Sequence, residues 1–146
     1  MRRQETKIVR NVARKLFPVL VLFAFYLIIY GHISPGGGFQ GGVVLGSSLI
    51  LLYLSEGPER VEKKFKNSQL AILEAIGVLA FVGIGFLGII LGKHFLGNFL
   101  PIGRVGMVPS AGLVLLLNLF IGTKVGAGIS LIFYALMKFD RRAQGE

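Results

Sequence analysis

The chain of 146 residues contains no cysteine, which excludes a disulfide framework, a thiolate metal site and an iron–sulfur centre. Charge is scarce as well: Asp, Glu, Lys and Arg make up 16% of residues against 53% hydrophobic, and the mean hydropathy is +0.72. Soluble domains keep about a quarter of their residues charged, so this is the composition of a membrane protein. No internal repeat is present, and with it is missing the inverted-repeat mark of a self-sufficient transporter.

What the chain does have is four apolar runs, residues 16–33, 37–54, 70–92 and 110–137, whose only Asp, Glu, Lys or Arg are Glu74 and Lys124. Each is long enough to cross ~30 Å of hydrocarbon as a helix. The fold class expected is therefore all-α, a polytopic membrane protein with four transmembrane helices bundled over residues 16–137. A basic arm, residues 1–15, precedes this domain and a short tail, residues 138–146, follows it.

The net charge of +9 would suggest nucleic acid in a soluble chain, but its placement gives another explanation. Six Lys and Arg stand in the arm, four in residues 55–69 and three in the tail, while the opposite loops hold only Lys93 and Arg104. By the positive-inside rule both termini face the cytoplasm. A cleaved signal is the main competitor for the first run, and the small-x-small cleavage pattern it needs does not follow Tyr30. The loop "SEGPERVEKKFKNS" suits a short amphipathic helix from Pro58 to Phe65. The external stretch "GKHFLGNFLPIGRVGMVP" is too apolar for an ordinary loop and is expected to lie in the interface or against protein. The fourth run, 28 residues, would span ~42 Å, which calls for tilt, a break near Gly122 to Gly128, or protrusion.

Between the first two runs stands "SPGGGFQGG", residues 34–42, with five glycines and a proline. Irregular backbone at membrane depth is tolerated only where protein or a water-filled cavity satisfies its amides. One reading is a tight hairpin in which Pro35 ends the first helix, and Gly38, Gly42 and Gly46, at i, i+4 and i+8, let the second helix approach a neighbour closely. The other adds that Phe39 and Gln40 reach into a partner or line an aqueous path.

A charge inside a span is a functional hypothesis by default. Lys124 lies fourteen residues from both Ser110 and Lys138, ~21 Å from either end, and is a candidate for a proton relay, for cation repulsion, or for an ion pair with an acid on another subunit. Glu74 falls ~9 Å past Ser68, which places it ~12 Å from the level of Lys124 and disfavours a direct pair. It shares a face with Gly77, Gly85, Gly88 and Gly92, and is expected to point inward, where it could bind Na+ or accept a proton; the other reading is an interfacial glutamate solvated by headgroups and water. Asn118 shares a face with Gly122, Val125 and Ile129 and is expected to hydrogen-bond another helix. His32 and His94 are too few for a metal site and suit interfacial hydrogen bonding.

In order along the chain, "HISPGGGFQGGVVLG", "FLPIGRVGMVPSAG" and "LLLNLFIGTKVGAGISLIF" resemble the MnhB family, the B-type component of the Mrp-type multisubunit Na+/H+ antiporters, whose relatives occur in archaeal membrane-bound hydrogenases and related respiratory complexes. The similarity covers about residues 16–137. Its signature positions fall here on Pro35, Gly36, Gly37, Gly38, Phe39, Gln40, Gly41 and Gly42, and on Gly122, Lys124 and Gly126. The resemblance implies a non-catalytic subunit in the cytoplasmic membrane of a prokaryote, binding no cofactor itself. Its partners would be other antiporter subunits, with or without a redox module, and Na+ and H+ would be the transported ions. Two other readings stay open: an autonomous homo-oligomeric transporter or channel, and a purely structural scaffold.

Overall fold

The structure, a computed structural model, describes residues 2–104, 106 and 108–143. Met1 of the expected arm, residues 144–146 of the expected tail, and Val105 and Met107 of the external stretch lie outside the described residues. The elements are α1 (Arg2–Tyr30), α2 (Gly38–Glu56), α3 (Pro58–Lys64), α4 (Asn67–Ile90), a 3-10 turn (Val108–Ala111) and α5 (Leu113–Ala143). Four of them, α1, α2, α4 and α5, are long and apolar enough to cross a membrane, as the apolar runs predict.

Two helices outrun their apolar segments. α1 begins fourteen residues before the first run and carries the basic arm as one continuous helix, because Arg, Lys, Gln and Glu are good helix formers and need no change of backbone to leave the hydrocarbon. α5 runs unbroken for 31 residues, ~46 Å, through the glycines expected to interrupt it. The break is absent because those glycines are used: each is a point where another helix comes close.

The four helices do not close into the expected bundle. α2 packs against both α1 and α5, α1 meets α5 lightly, and α4 packs against α5 while barely meeting the other two, giving the order α1, α2, α5, α4. α2 and α5 run parallel. A Cβ built on Gly38 would collide with the backbone of Asn118; one on Gly42 would lie 2.7 Å from both the Gly122 carbonyl and Val125 Cβ, and one on Gly46 2.9 Å from Ile129 Cβ. Seen from α5, Cβ atoms on Gly122 and Gly126 would lie 3.2 and 3.3 Å from the carbonyls of Gly38 and Gly42. The backbones themselves are in contact, an approach that only residues without side chains permit. Gly41, on the next face of α2, admits Ile28 of α1 in the same way.

The entry to α2 is a turn with no room for a side chain. Gly37 has φ +145°, a conformation that favours glycine, and its N–H donates to the Leu27 carbonyl at 3.1 Å. Gly31 lies directly against it. At the opposite end an apolar core fills the space that the glycines leave narrow elsewhere. Leu49, Leu52 and Tyr53 of α2 gather there with Val61, Leu70 and Ala127, and Phe17 and Phe65 pack against them.

The stretch between α4 and α5 folds back on its own chain. Phe95 sits on Gly85 and edge-on to Phe86 at 5.9 Å, the His94 and Gly97 backbone covers Gly88, and Asn98 Oδ1 accepts from the N–H groups of Leu100 (3.2 Å) and Leu113 (3.1 Å), capping α5. Gly92, expected on the inward face of α4, lies beyond the helix end with φ +73°.

The α2–α5 contact gives a direct test. Gly42→Leu should separate the two helices and destabilise the protein by about 1–3 kcal/mol, the range for overpacking. Gly83→Ala, at a glycine inside α4 with no neighbour within 4 Å of its Cβ position, should raise stability by up to about 1 kcal/mol through helix propensity. Thermal unfolding of the purified protein in detergent reads both; equal melting of the two variants would sink the account of α2.

Candidate functional site

The two intramembrane charges meet at the contact of α4 and α5. Gly77 of α4 lies against the Cβ of Lys124, 2.8 Å from where its own Cβ would be, and Gly128 of α5 lies against the carboxylate of Glu74, at 3.1 Å. Because the helices are antiparallel, Glu74 and Lys124 sit about one turn apart, ~4.5 Å along the axis, with Glu74 nearer the α3 end. The ~12 Å offset expected from the sequence is corrected. It assumes that α5 reaches the membrane surface at Lys138, whereas Tyr134 is level with the start of α4: its hydroxyl and the amide of Asn67 both donate to Glu62, each at 3.1 Å. α5 projects past that level by more than two turns.

Neither charge has an ion-pair partner among the described residues, and no ion pair joins Glu74 to Lys124. Glu74 is half-buried, facing α5 as expected. Lys124 is exposed, although its Cβ lies against Gly77. Counted along α5 it is ~16 Å from Leu113 and ~15 Å from Tyr134, the middle of the apolar span.

The glycine motif divides between buried backbone and projecting side chains. Gly37, Gly38, Gly41, Gly42, Gly46, Gly122 and Gly126 are buried at the α1–α2–α5 contacts, and Gly36 is half-buried over Leu27. Pro35 and Gln40 are exposed, Gln40 Oε1 turning back toward Gly37, and Phe39 is 62% exposed. Phe39 thus stands on a face that nothing among the described residues covers. Asn118 contributes its backbone to the contact with Gly38, and its side chain makes no hydrogen bond to another helix among the described residues, a correction to its expected role. His32 likewise differs from expectation: both ring nitrogens are buried and without a hydrogen-bond partner, while His94 is exposed. No group of three or more His, Cys, Asp or Glu that could hold a metal occurs among the described residues.

Sequence reasoning misses a second polar centre, at the cytoplasmic end predicted by the charge distribution. Glu56, the last residue of α2, has a side chain only 2% exposed; Arg14 Nε of α1 donates to its Oε1, and Lys64 Nζ of α3 lies 3.7 Å from Oε2. Beside it Glu62 of α3 accepts from Tyr134 of α5 and Asn67 of α4, and Tyr53 of α2 donates to Asn67 Oδ1 at 3.4 Å. Together these groups tie all five helices at one end. The signal for it is an acid closing an apolar run beside two basic segments, which also reads as solvated charge.

Residues 8–131 match the family described as a domain related to the MnhB subunit of Na+/H+ antiporters. An uncharacterized protein of Methanocaldococcus jannaschii is 33% identical over 137 residues, covering 90% of this chain and 52% of that protein. A Staphylococcus aureus protein designated as an antiporter subunit, mnhB2, is 33% identical over 92 residues, covering 63% of this chain and 64% of that one. Among solved structures, a chain of the membrane-bound sulfane sulfur reductase, an archaeal respiratory membrane complex, superposes with a TM-score of 0.72 at 28% identity over 88% of this chain and 57% of that one. The chain therefore spans between about half and two thirds of the length of these relatives.

Removing Arg14 leaves a buried carboxylate with only the looser Lys64. Arg14→Ala is expected to lower stability measurably by stranding a buried acceptor, while Arg14→Lys recovers part of the loss. Denaturation of the protein in detergent decides it, and wild-type stability of Arg14→Ala would show that the pair is no more than a surface contact.

Proposed function

Since the chain belongs to the MnhB family, we propose that it works as a non-catalytic subunit of an Mrp-type cation/proton antiporter module, helping to form and seal the path for Na+ and H+ in the cytoplasmic membrane of a prokaryote. It is a multi-pass membrane protein, and its partners in this reading are other subunits of the module. The archaeal respiratory complex among its structural neighbours supports a setting in which a redox reaction drives the module.

The observation that carries the reading is Lys124, an ammonium uncovered at mid-span with the carboxylate of Glu74 one turn away. A lysine so placed would be costly facing lipid, and acids and bases inside spans mark ion pathways and proton relays. Lys124 would exclude cations from its own level while protonated and release a proton to a neighbouring acceptor. Glu74, half-buried and nearer the cytoplasmic end, would hold Na+ or a proton on the way. The exposed Phe39 and the buried glycines around it shape and seal the outer part of the path.

The test is Na+-dependent proton exchange in vesicles carrying the whole complex, normalised to assembled complex. Lys124→Met should lower exchange about a hundredfold or more, the lower end of the range for removing a positioned proton-transfer group. Glu74→Gln should lower it by less and raise the Na+ concentration needed. Wild-type exchange in both variants would remove this subunit from the ion path.

A further inference from the structure

Lys124 also specifies what must lie beside it. Of the seven acids in the chain, Glu56, Glu59 and Glu62 cluster on α2 and α3 at the cytoplasmic end, and Asp140 is sixteen residues along α5, ~24 Å away. Glu5 belongs to the basic arm and Glu146 to the C-terminal end of the sequence. The whole stretch from Leu91 to Gly112 contains none. Glu74 alone is near, and its carboxylate rests on Gly128 a turn away, outside ion-pair distance.

Two other coverings of Lys124 fail on geometry. A lysine side chain reaches ~6 Å, short of the ~15 Å to either end of the apolar span, so lipid headgroups are beyond it. A second copy related by a two-fold axis along the membrane normal would bring its own Lys124 to the same depth, charge against like charge.

We infer that the α4–α5 edge seats a transmembrane helix of a different subunit that carries an Asp or Glu at the depth of Lys124. The pair formed there is intermolecular, and it completes a row of alternating charge running from that carboxylate through Lys124 to Glu74. The contact fixes the vertical register of the neighbouring helix, as buried polar pairs do where apolar surfaces alone would slide. This inference rests on the reading of the chain as a subunit of a hetero-oligomer, and its test reads assembly rather than transport.

Ile121, one turn from Lys124 and partly exposed, is replaced by the photoreactive benzoylphenylalanine in the intact complex, which is irradiated in native membranes and mapped by peptide mass spectrometry. The expected adduct is with a helix of another subunit, within about one turn of an Asp or Glu. In parallel, Lys124→Glu should lower recovery of assembled complex at least about tenfold at unchanged membrane levels of this chain, the effect of leaving charge unpaired at mid-span. Reversing the mapped acid to Lys should restore it. Lys124 is exposed in the isolated chain, so the substitution spares the fold, and Lys124→Arg serves as the control that assembles normally. Adducts confined to lipid, or a mapped helix without an acid, would overturn the inference and leave the exchange experiment to judge the function by itself. An adduct with a second copy would overturn the inference and the subunit reading together.

Discussion

The parallel contact of α2 with α5 is the constraint on which the rest of the molecule depends. Between helices in lipid there is no hydrophobic gain from association, so what holds them is close van der Waals contact and the weak polar contacts that proximity allows. Gly38, Gly42 and Gly46 meet Asn118, Gly122 and Gly126 with carbonyl oxygens within 3.3 Å of the positions of absent Cβ atoms. Each glycine gives up roughly 1 kcal/mol of helix propensity relative to alanine. That loss is offset only if the partner helix is there to use the space. With α2 held on α5, Gly41 presents its own gap to α1, and the opposite side of α5 is left free to take α4.

The register of α4 on α5 is set elsewhere. At the α3 end Tyr134, Asn67 and Glu62 are joined by hydrogen bonds, and Tyr53 reaches the same cluster from α2. At the opposite end Phe95 and the backbone about Gly97 fill the glycine gaps of α4, while Asn98 ties that loop to the first turn of α5. Clamped at both ends, α4 brings Glu74 to Gly128 and Gly77 to Lys124. The chemistry at mid-span is thus positioned by polar groups at the surfaces, where water lessens the penalty for any imperfect hydrogen bond.

Much of this is legible in the residues, and the limits have physical causes. The four spans follow from runs of apolar side chains, and the spacing of Gly38, Gly42 and Gly46 announces a contact face. Spacing does not say which helix fills that face, so the row of α1, α2, α5 and α4 in place of a bundle emerges only from the structure. The depth of Lys124 relative to Glu74 is misjudged from sequence because a helix need not stop where hydrocarbon does: α5 carries on through Lys138, and only Tyr134 marks the level of its neighbours. Glu56 escapes notice because an acid at the end of a span looks the same in sequence whether it meets water or is enclosed by Arg14 and Lys64. Residue type assigns Asn118 a hydrogen bond, whereas its backbone supplies the contact.

The order of the helices carries a consequence for how the chain is made. Ile129, which closes the last of the glycine contacts, lies 83 residues after Gly46; at translation rates of roughly 5–20 residues per second its synthesis trails by about 4 to 17 s. During that interval the first hairpin waits in the bilayer with the interface that defines the fold unfilled. A waiting surface built of leucine or valine would gain nothing over lipid tails from meeting a helix and would hold the two backbones apart. One built of glycine offers little until a backbone of matching shape arrives, so the same residues that make the final contact tight also keep the nascent chain from closing on the wrong partner.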